Sequence, residues 1–470
     1  MSAVIATAAP GCIENHTFSE LVVGESVRIR RTLTLRDIEL CDVVSGANAM
    51  AITPEQEGCK PVADGMWASS LIWAVLETQL PGPGTIHLSQ DLHFHAPVAL
   101  GDTVDVIVTV TDKDPLRQRV TLHCCVRNQY GADVMLGTAV VQAPAKKIRC
   151  ERTDLPEVQI ADHHRFRPLL ASAKKCPALR TAIAHPCDEA AIAAAVEAAR
   201  EGLIEPIFVG PAAKIAAAAK LAGVDIKSYR VVDAPHSHAA AEQAVALVKS
   251  GEAKLLMKGS LHTDELMRAV LAESGLRTGR RLSHVYVMAV PSYAHLLLVT
   301  DAAINIAPTL LEKRDIIQNA IDLAHVLGIA APKVAVLSAV ETVNPAIPST
   351  VDAAALCKMA ERGQITGGVV DGPLAFDNAI STLAAREKGI VSPVAGAADI
   401  LVVPDLESGN LLAKQLTFLA GADAAGIVMG AQVPIILTSR ADAPRARTAS
   451  CAVAVLVACA VTSKADAKAR

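Results

Sequence analysis

The feature that most constrains this chain is an alternation of short apolar runs with alanine-rich stretches, which extends from about residue 168 almost to the end. The apolar runs, such as 206–209 and 333–337, have the length of strands, and the stretches between them, such as 188–201, are rich in strong helix formers. Strands that alternate with helices pair in parallel, and the helices cover both faces of the sheet. Aromatic residues make up only 3% of the chain, so small aliphatic side chains must build the core. We therefore predict an α/β three-layer domain over residues 168–465.

In the first third of the chain, apolar and polar side chains follow a different pattern. Three runs there alternate between apolar and polar side chains, namely 104–111, 119–127 and 134–141. With turn residues between them, they predict an antiparallel meander. A helix is expected over 66–80, and because it has little polar surface, the sheet should enclose it. One buried helix wrapped by an antiparallel sheet is the hot-dog arrangement, an α+β fold, which we predict for residues 17–143.

Charge and cysteine content limit the partners and the compartment. The 44 Lys and Arg residues nearly balance the 48 Asp and Glu residues, whereas a nucleic-acid-binding protein would need clustered positive charge. None of the 11 cysteines forms a C-x-x-C pair, which is typical of reduced thiols in the cytoplasm. No Lys or Arg precedes Arg28, so no signal peptide is expected. The apolar stretch 449–461 is too short to cross a membrane and should be a buried helix.

The segment 144–167 is polar and mixed in charge, so we expect a linker there, with an ordered crossover as the alternative. Beyond it, four segments combine glycine, hydroxyl, amide and basic side chains directly after apolar runs: 255–268, 275–284, 404–414 and 434–442. Ligands of open α/β sheets bind at the carboxyl ends of strands. These four segments together therefore predict an anion site.

Two of these segments have the clearest chemistry. In the first, a strand runs into Lys258-Gly259-Ser260, and Thr263 or Asp264 is expected to cap the next helix, whose free N–H groups would hold an anion. An ordinary strand–turn–helix is the alternative. In the last, a strand delivers Ser439 and Arg440, and a guanidinium fork beside a hydroxyl suits phosphate. The basic segment 275–284 could equally be a solvated loop.

From about residue 164 to 460 the chain resembles the phosphate acetyl/butyryl transferase family. The motifs that carry the likeness are His185-Pro-Cys-Asp-Glu189, Gly202-Leu-Ile-Glu-Pro206, Met257-Lys-Gly-Ser-Leu-His-Thr-Asp-Glu-Leu266, Ser338-Ala-Val-Glu-Thr342, Gly367-Gly-Val-Val-Asp-Gly-Pro-Leu-Ala-Phe-Asp377, Pro404-Asp-Leu-Glu-Ser-Gly-Asn410 and Thr438-Ser-Arg-Ala-Asp442. The resemblance implies two lobes with the site in the cleft between them, and a homodimer or higher homo-oligomer. It also implies a reversible reaction of acyl-CoA and phosphate to acyl phosphate and CoA, with no tightly bound cofactor and no metal.

The resemblance also assigns site residues. Ser439 and Arg440 match the positions that orient the thiol or carbonyl and hold phosphate, and Arg268 matches a phosphate-contacting arginine of the acetyl branch. In that branch an Asp seven residues after the serine acts as the catalytic base. This chain has Ala446 at that position, so Asp442 is the candidate base. Ala289 stands where the family pattern predicts Asp. The predicted substrate-binding residues are Lys258, Gly259, Ser260, His262, Thr263, Arg268, Arg281, Ser283, Asp405, Gly409, Asn410 and Lys414.

Residues 17–143 resemble the (R)-specific enoyl-CoA hydratase, or MaoC-like, hot-dog family. The likeness is carried by Asp64-Gly-Met-Trp67, Leu80-Pro-Gly-Pro-Gly-Thr85, Gln90-Asp-Leu-His-Phe94 and Pro97-Val-Ala-Leu-Gly-Asp-Thr103. The family's catalytic Asp and His are missing, because Ala47 occupies the Asp position and no His occurs between His16 and His87. We predict a weak or absent hydratase, in a domain that binds CoA thioesters or dimerises. The alternative is a bifunctional enzyme that recruits Asp42 or Asp64.

Other functions remain open at this point. A metal-dependent decarboxylating dehydrogenase of related fold would need clustered Asp ligands for Mg²⁺ and a nucleotide site, and the sequence has neither. A non-enzymatic alternative is a CoA-thioester-binding scaffold. Among acyl groups, acetyl is the expected substrate and butyryl is the alternative.

Overall fold

A computed structural model describes residues 12–46, 61–63, 65–151, 165–273, 275–438 and 442–469, the last range with side chains up to residue 462. The chain divides into two compact units, residues 1–160 and 161–470. The amino-terminal unit contains the following elements: β1 Cys12–Glu14, β2 Ser26–Thr32, α1 Leu35–Ser45, β3 Val62–Ala63, α2 Gly65–Thr78, β4 Ile86–Phe94, β5 Val98–Ala99, β6 Thr103–Asp114, β7 Arg119–Asn128, β8 Asp133–Gln142 and β9 Arg149–Glu151.

The predicted meander is present. Strands β6, β7 and β8 pair in antiparallel fashion within a five-stranded sheet of order β2-β6-β7-β8-β4. Alternate residues of β6, among them Val104, Val106 and Val108, are fully buried and share one core with the buried face of α2. A strand of period two has one apolar face, and that face needs a cover.

Helix α2 is enclosed less completely than its composition predicts. Its buried face includes Trp67, Ile72 and Leu76, but the side chain of Trp73 is 42% exposed and lies 5.0 Å from the ring of His87. The sheet covers one face of the helix and leaves the other open.

Part of the expected linker is structured. Strand β9 lies inside 144–167 and pairs in antiparallel fashion with β1. Residue Asn15 adds bonds to this junction, because its side-chain amide donates to the carbonyl oxygen of Lys146 at 2.9 Å. The chain therefore continues as part of the first unit until at least residue 151.

The carboxy-terminal unit contains the following elements: α3 Arg167–Ala173, β10 Leu179–Ala184, α4 Glu189–Arg200, β11 Ile204–Gly210, α5 Ala212–Leu221, β12 Arg230–Asp233, α6 Ser237–Lys249, β13 Leu255–Lys258, α7 Thr263–Leu271, β14 Ser283–Ala289, β15 Leu297–Thr300, α8 Leu310–Val326, β16 Lys333–Leu337, α9 Pro348–Glu361, β17 Val369–Leu374, α10 Phe376–Ile380, α11 Thr382–Glu387, β18 Ile400–Val402, α12 Leu406–Phe418, β19 Asp423–Met429, β20 Ile435–Ile436 and α13 Pro444–Ala469.

One eleven-stranded sheet runs through this unit in the order β12-β11-β10-β13-β20-β19-β14-β15-β18-β16-β17. Successive strand residues alternate between its two faces. On β10, Ile183 shares a core with α4, α5, α8, α9 and α13, whereas Ala182 shares one with α6 and α7. Helices on both faces give the predicted three-layer α/β arrangement.

The sheet is mixed, whereas the alternation of strands and helices predicts a parallel one. Strand β14 is antiparallel to β15 and to β19, and β19 is antiparallel to β20. The chain passes from β14 to β15 through only a short loop, and parallel neighbours would need a longer crossover. As a result, the carboxyl ends of β10, β11, β13 and β20 lie at one end of the strands, and those of β15, β16, β17 and β18 lie at the opposite end.

Helix α13 packs against the sheet as one of the main core elements. Residues Ala449, Cys451 and Val453 are almost completely buried, so the buried helix predicted over 449–461 is confirmed. It is longer than predicted, and its stretch Pro444–Thr462 has the length and apolar composition of a membrane span, yet 67% of that stretch is buried within the protein.

Candidate active site

A cavity lies where β13 and β20 end. These strands are parallel neighbours, so their carboxyl ends meet and bring Lys258 and Thr438 together. Lys258 is only 7% exposed, and its ammonium group donates to the carbonyl oxygen of Gly259 at 3.3 Å. The lining consists of Asp188, Ala191, Met257, Lys258, Gly259, Thr438 and Arg447. Thr438 directly precedes Ser439 and Arg440, which lie outside the described residues.

Arg447 brings a second buried cation to the same cavity. It belongs to the first turns of α13 and is 6% exposed, and its Nε donates to the carbonyl oxygen of Asp442 at 3.3 Å. The sequence analysis missed this residue, although a basic side chain beside Ala446, close after the Ser-Arg pair, was a usable signal. The carboxylate-bearing residue Asp188 lines the same cavity as these two cations.

The cavity also adjoins the amino end of α4. Asp188 is the N-cap of that helix, and its carboxylate accepts a hydrogen bond from the amide of Ala191 at 2.7 Å. The helix dipole adds partial positive charge there. Asp188 belongs to a motif that carries the family resemblance, but the sequence alone gave it no role.

Gly259 is required because two segments of the main chain approach each other closely at this turn. Its amide donates to the carbonyl oxygen of Ala184 at 2.9 Å, and a Cβ at this position would lie 2.4 Å from that oxygen and 2.7 Å from the carbonyl oxygen of His185. No real Cβ makes such contacts, so only glycine fits the turn as it stands.

The hydroxyl of Ser260 serves the neighbouring loop. It donates to the carbonyl oxygen of His185 at 2.7 Å and accepts from the amide of Cys187 at 3.1 Å. His185 has a left-handed φ of 52°, a costly conformation for a residue with a side chain. Burial, with the charge of Lys214, lowers the pKa of His185, so the imidazole is neutral at neutral pH.

The start of α7 differs from the expected one. The helix begins at Thr263, and His262 is its N-cap without a side-chain cap bond, so the prediction that Thr263 or Asp264 caps it is wrong. Both residues lie in the first turn instead, where the negative charge of Asp264 complements the helix dipole.

Arg268 is exposed in a groove between α6 and α7. Its guanidinium lies 3.4 Å from Nε2 of His238, and Glu242, Lys249 and Glu265 also line this groove of about 430 Å³. Arg268 is not among the residues that line the Lys258 cavity.

Two predicted residues lie at the other end of the strands, where β14 begins. Arg281 donates to Oδ1 of Asn305 at 2.6 Å and forms an ion pair with Glu312 at 3.1 Å. Ser283 is fully buried, and its hydroxyl accepts from the amide of Asn319 at 2.9 Å.

The predicted residues of the third segment also lie at that opposite end, after β18. The carboxylate of Asp405 caps α12 by accepting from the amide of Ser408 at 2.8 Å. Gly409 packs against the main chain of residue 301, the amide of Asn410 donates to the carbonyl oxygen of Ala302 at 3.2 Å, and Lys414 is exposed. The four anion-compatible segments do not meet at one end of the sheet, because strand direction reverses across it.

Asp442 lies close to the buried strand β14. Burial, with the negative charge of Asp442, raises the pKa of Tyr286 to about 12. The ring of Tyr286 packs edge-on against His284 at 4.3 Å. His284 is fully buried, and burial lowers its pKa to about 4 against the opposing effect of the main chain of Leu437.

The candidate residues of the first unit are only partly described. Asp42 is half-buried in α1, whereas Ala47 and Asp64 lie outside the described residues. Within the described ranges of the whole chain, no cluster of three or more His, Cys, Asp or Glu side chains could hold a metal ion.

Comparisons with known proteins find relatives of both units, and the matching family model lies in the second. The model of a family described as "Phosphate acetyl/butaryl transferase" matches residues 236–455. The phosphate acetyltransferase of Rhizobium meliloti is 63% identical over 300 residues, which are 63% of this chain and 95% of that protein. A branched-chain phosphotransacylase from Enterococcus faecalis V583 is 32% identical and has a TM-score of 0.53, over 60% of this chain and 99% of its own. The R-hydratase PhaJ1 from Pseudomonas aeruginosa is 35% identical over 32% of this chain and 99% of its own, with a TM-score of 0.30.

Proposed function

The chain belongs to the phosphate acetyl/butyryl transferase family and is an acyltransferase, and on that premise we propose that it converts acyl-CoA and phosphate into acyl phosphate and CoA at the Lys258 cavity. The observation that carries the proposal is the position of buried Lys258 beside Thr438, directly before the Ser439-Arg440 pair. A buried ammonium group at the meeting point of two strand ends suits an anionic substrate. CoA, acyl-CoA and phosphate are then the ligands, and no bound cofactor takes part.

The reaction transfers the acyl group between two nucleophiles, the sulfur of CoA and an oxygen of phosphate. An oxygen of phosphate attacks the thioester carbonyl carbon, the carbon–sulfur bond breaks, and the sulfur leaves with the bonding electrons and takes up the proton that phosphate gives up. In reverse, the CoA thiol must lose its proton first, and its unperturbed pKa of about 8.5 calls for a base. We assign this proton transfer to Asp442.

The charged groups of the site stabilise the negative charge that develops on the reacting oxygen atoms during acyl transfer. Lys258, held in a site largely shielded from water, interacts with phosphoryl oxygens more strongly than an exposed lysine would. Ser439 and Arg440, by family resemblance, orient the thiol or carbonyl and hold phosphate. Residues 258–263 form the neighbouring anion loop.

Acetyl is the proposed acyl group, because a phosphate acetyltransferase is 63% identical over 300 residues of this chain. Butyryl and branched acyl groups are the alternatives. A panel of acetyl-, butyryl- and isobutyryl-CoA, assayed for phosphate-dependent thiol release, ranks them by kcat/KM.

The test of the proposed function is that assay on the wild type and on Arg440→Ala. Loss of one charged donor to a developing anion should lower kcat/KM at least roughly ten-fold. Arsenate-dependent breakdown of acetyl-CoA should survive metal chelation, whereas a metal-dependent dehydrogenase would lose activity. No phosphate-dependent thiol release from any acyl-CoA would contradict the proposal, and unchanged turnover in Arg440→Ala would contradict the role of that residue.

For the first unit we propose a hot-dog module without efficient hydratase activity. One helix on a five-stranded antiparallel sheet supports the fold, and Ala47 in the position of the catalytic Asp supports the loss of activity. We expect weak or absent hydration of crotonyl-CoA, and hydration at the rate of an efficient enzyme would contradict this part of the proposal. If efficient hydration occurs and is lost in Asp42→Asn or Asp64→Asn, the bifunctional alternative is correct. The scaffold function is retained as an alternative for this unit alone.

We also propose a cytoplasmic homodimer or higher homo-oligomer. Acyl-CoA and phosphate are cytoplasmic metabolites, and the cysteines of the described residues form no disulfide bond there, which suits a reducing compartment. Light scattering on the purified chain measures the oligomeric state, and a monomeric mass would contradict this part of the proposal.

A further inference from the structure

Tyr286 is the one residue of β14 that is not buried, although this strand lies in the interior of the eleven-stranded sheet. Every other residue of the strand, from Ser283 to Ala289, is buried. Helices normally cover both faces of such a sheet. The partial exposure of Tyr286 therefore marks a gap in the helical layer on its face of the sheet.

The gap lies between two apolar clusters on that face. Val428 of β19 belongs to the cluster that α6 and α7 cover, whereas Ala424 of the same strand belongs to the cluster that α10 and α12 cover. Gly426 lies between these two residues on the same face, because alternate side chains of a strand point to one side. Tyr286 pairs with Gly426 in the sheet. The phenol thus stands in the floor of a crevice between two groups of helices.

The floor of the crevice leads to the proposed site. Gly426 lies beside Leu437 at the end of β20, whose amide donates to the Gly426 carbonyl oxygen at 3.3 Å. Continuing the parallel register of β13 and β20 by one residue places Lys258 next in the same row. Tyr286 and Lys258 are therefore three strand spacings apart, or roughly 14 Å between their main chains. The phenol belongs to the same region of the sheet as the segment that carries Ser439 and Arg440.

Two neighbours hold the phenol ring in place. The ring packs edge-on against the imidazole of His284, with the two ring centres 4.3 Å apart. Gly426 leaves room for both rings, since a Cβ there would lie 3.0 Å from Nε2 of His284 and 3.4 Å from Cε1 of Tyr286. The ring is therefore oriented before any substrate binds, which is the condition for a donor that stabilises a transition state.

The phenol keeps its proton at neutral pH. Burial, and after it the negative charge of nearby Asp442, raise the pKa of Tyr286 to about 12. A protonated phenol near a carboxylate suits acyl transfer, because the carboxylate can move a proton while the phenol donates to the oxygen that becomes negative.

We propose that Tyr286 is a further catalytic residue, whose hydroxyl donates a hydrogen bond to the thioester carbonyl oxygen as negative charge develops there. This inference rests on the proposed function and deepens it. When a phosphate oxygen attacks the carbonyl carbon, the carbonyl π electrons move onto the oxygen, and Tyr286 donates to this oxyanion without giving up its proton. The carbonyl then re-forms and the carbon–sulfur bond breaks. The sulfur leaves with the bonding electrons and takes up the phosphate proton, which Asp442 transfers.

The test compares Tyr286→Phe with Tyr293→Phe in the full-length protein. Each variant removes one phenol hydroxyl, and that of Tyr293 donates to the carbonyl oxygen of Ala398 at 2.8 Å. Tyr286→Phe should lower kcat about a hundred-fold, as the loss of an oxyanion donor does. Its KM values for acetyl-CoA and for phosphate should stay within about two-fold of the wild type, because the hydroxyl acts in the transition state alone. Tyr293→Phe should keep the wild-type kcat and KM values.

The outcomes separate this inference from the proposed function. If the wild type shows no phosphate-dependent thiol release, the proposed function fails and the inference falls with it. If the wild type is active and Tyr286→Phe keeps its kcat, the inference is overturned and the proposed function stands. A raised KM at unchanged kcat overturns the inference too, since the hydroxyl would then bind substrate and transition state equally. Should Tyr286→Phe fail to fold, Tyr286→Leu decides by the same criteria.

Discussion

The hydroxyl of Ser260 donates a hydrogen bond of 2.7 Å to the carbonyl oxygen of His185 and thereby joins the turn after β13 to the loop after β10. The amide of Cys187 donates to the same hydroxyl at 3.1 Å. The serine holds two adjacent strand ends in register at the edge of the cavity. Loss of the Ser260 hydroxyl should therefore change the shape of the site before it changes any contact with substrate.

Replacing Ser260 by alanine should lower the free energy of unfolding by about 1–2 kcal/mol, because the amide of Cys187 and the carbonyl of His185 each lose a partner. Thiol release should fall as the loop loosens. Chemical denaturation and kinetics on the same preparation measure both effects. Unchanged stability together with a raised KM for phosphate would instead show that Ser260 binds phosphate directly.

Gly259→Ala should disrupt the turn, because its new Cβ would meet the main-chain oxygens of Ala184 and His185, which cannot swing aside as a side chain can. We expect a lower melting temperature and at least a ten-fold loss of kcat/KM, by the general sensitivity of catalysis to small misplacements. Gly279→Ala is the matched control, because a Cβ there meets nothing within 4 Å and its φ is not in the left-handed region. Wild-type behaviour in both variants would show that the turn adapts freely.

Lys258→Met should separate activity from stability. Loss of the buried cation should raise the KM for phosphate at least roughly ten-fold. The free energy of unfolding should not fall, since an apolar side chain of similar length avoids the cost of a buried charge. Lys254→Met, at an exposed position before the same strand, should leave kinetics unchanged. A variant that loses stability but keeps its KM for phosphate would assign Lys258 a structural role.

His284 should make stability depend on pH. Its pKa is lowered to about 4 in the folded protein from an ordinary value of 6.5, so the unfolded chain binds more protons between these values. The contribution of neutral His284 to the free energy of unfolding is fully present above pH 6.5 and is lost as the pH falls toward 4. Between pH 7 and pH 5 this loss amounts to about 2 kcal/mol.

The pH effect is measured as the difference between two proteins, because other groups titrate in the same range. Denaturant unfolding at pH 7 and pH 5 should show a smaller decrease for His284→Leu than for the wild type, by about that amount. Equal decreases in the two proteins would mean that His284 gains a proton in the folded state without penalty.

Local patterns in the sequence were sufficient to predict the helices and strands and one part of the candidate site. Period-two alternation over residues 104–141 determined the meander, and the apolar runs after residue 168 determined the strands, because these signals depend on neighbours a few positions apart. The Lys258-Gly259 turn was identifiable for the same reason. The family motifs added the acyltransferase chemistry.

Tertiary structure alone decided which strand ends meet. The antiparallel placement of β14 and β19 puts Ser283 and Asp405 at the opposite end of the strands from Lys258, although each follows or begins an apolar run in the sequence. The burial of Arg447 likewise depends on where α13 lies against β13, which is far away in the chain. Strand direction and helix docking are set by contacts between distant residues, and no short-range pattern encodes them.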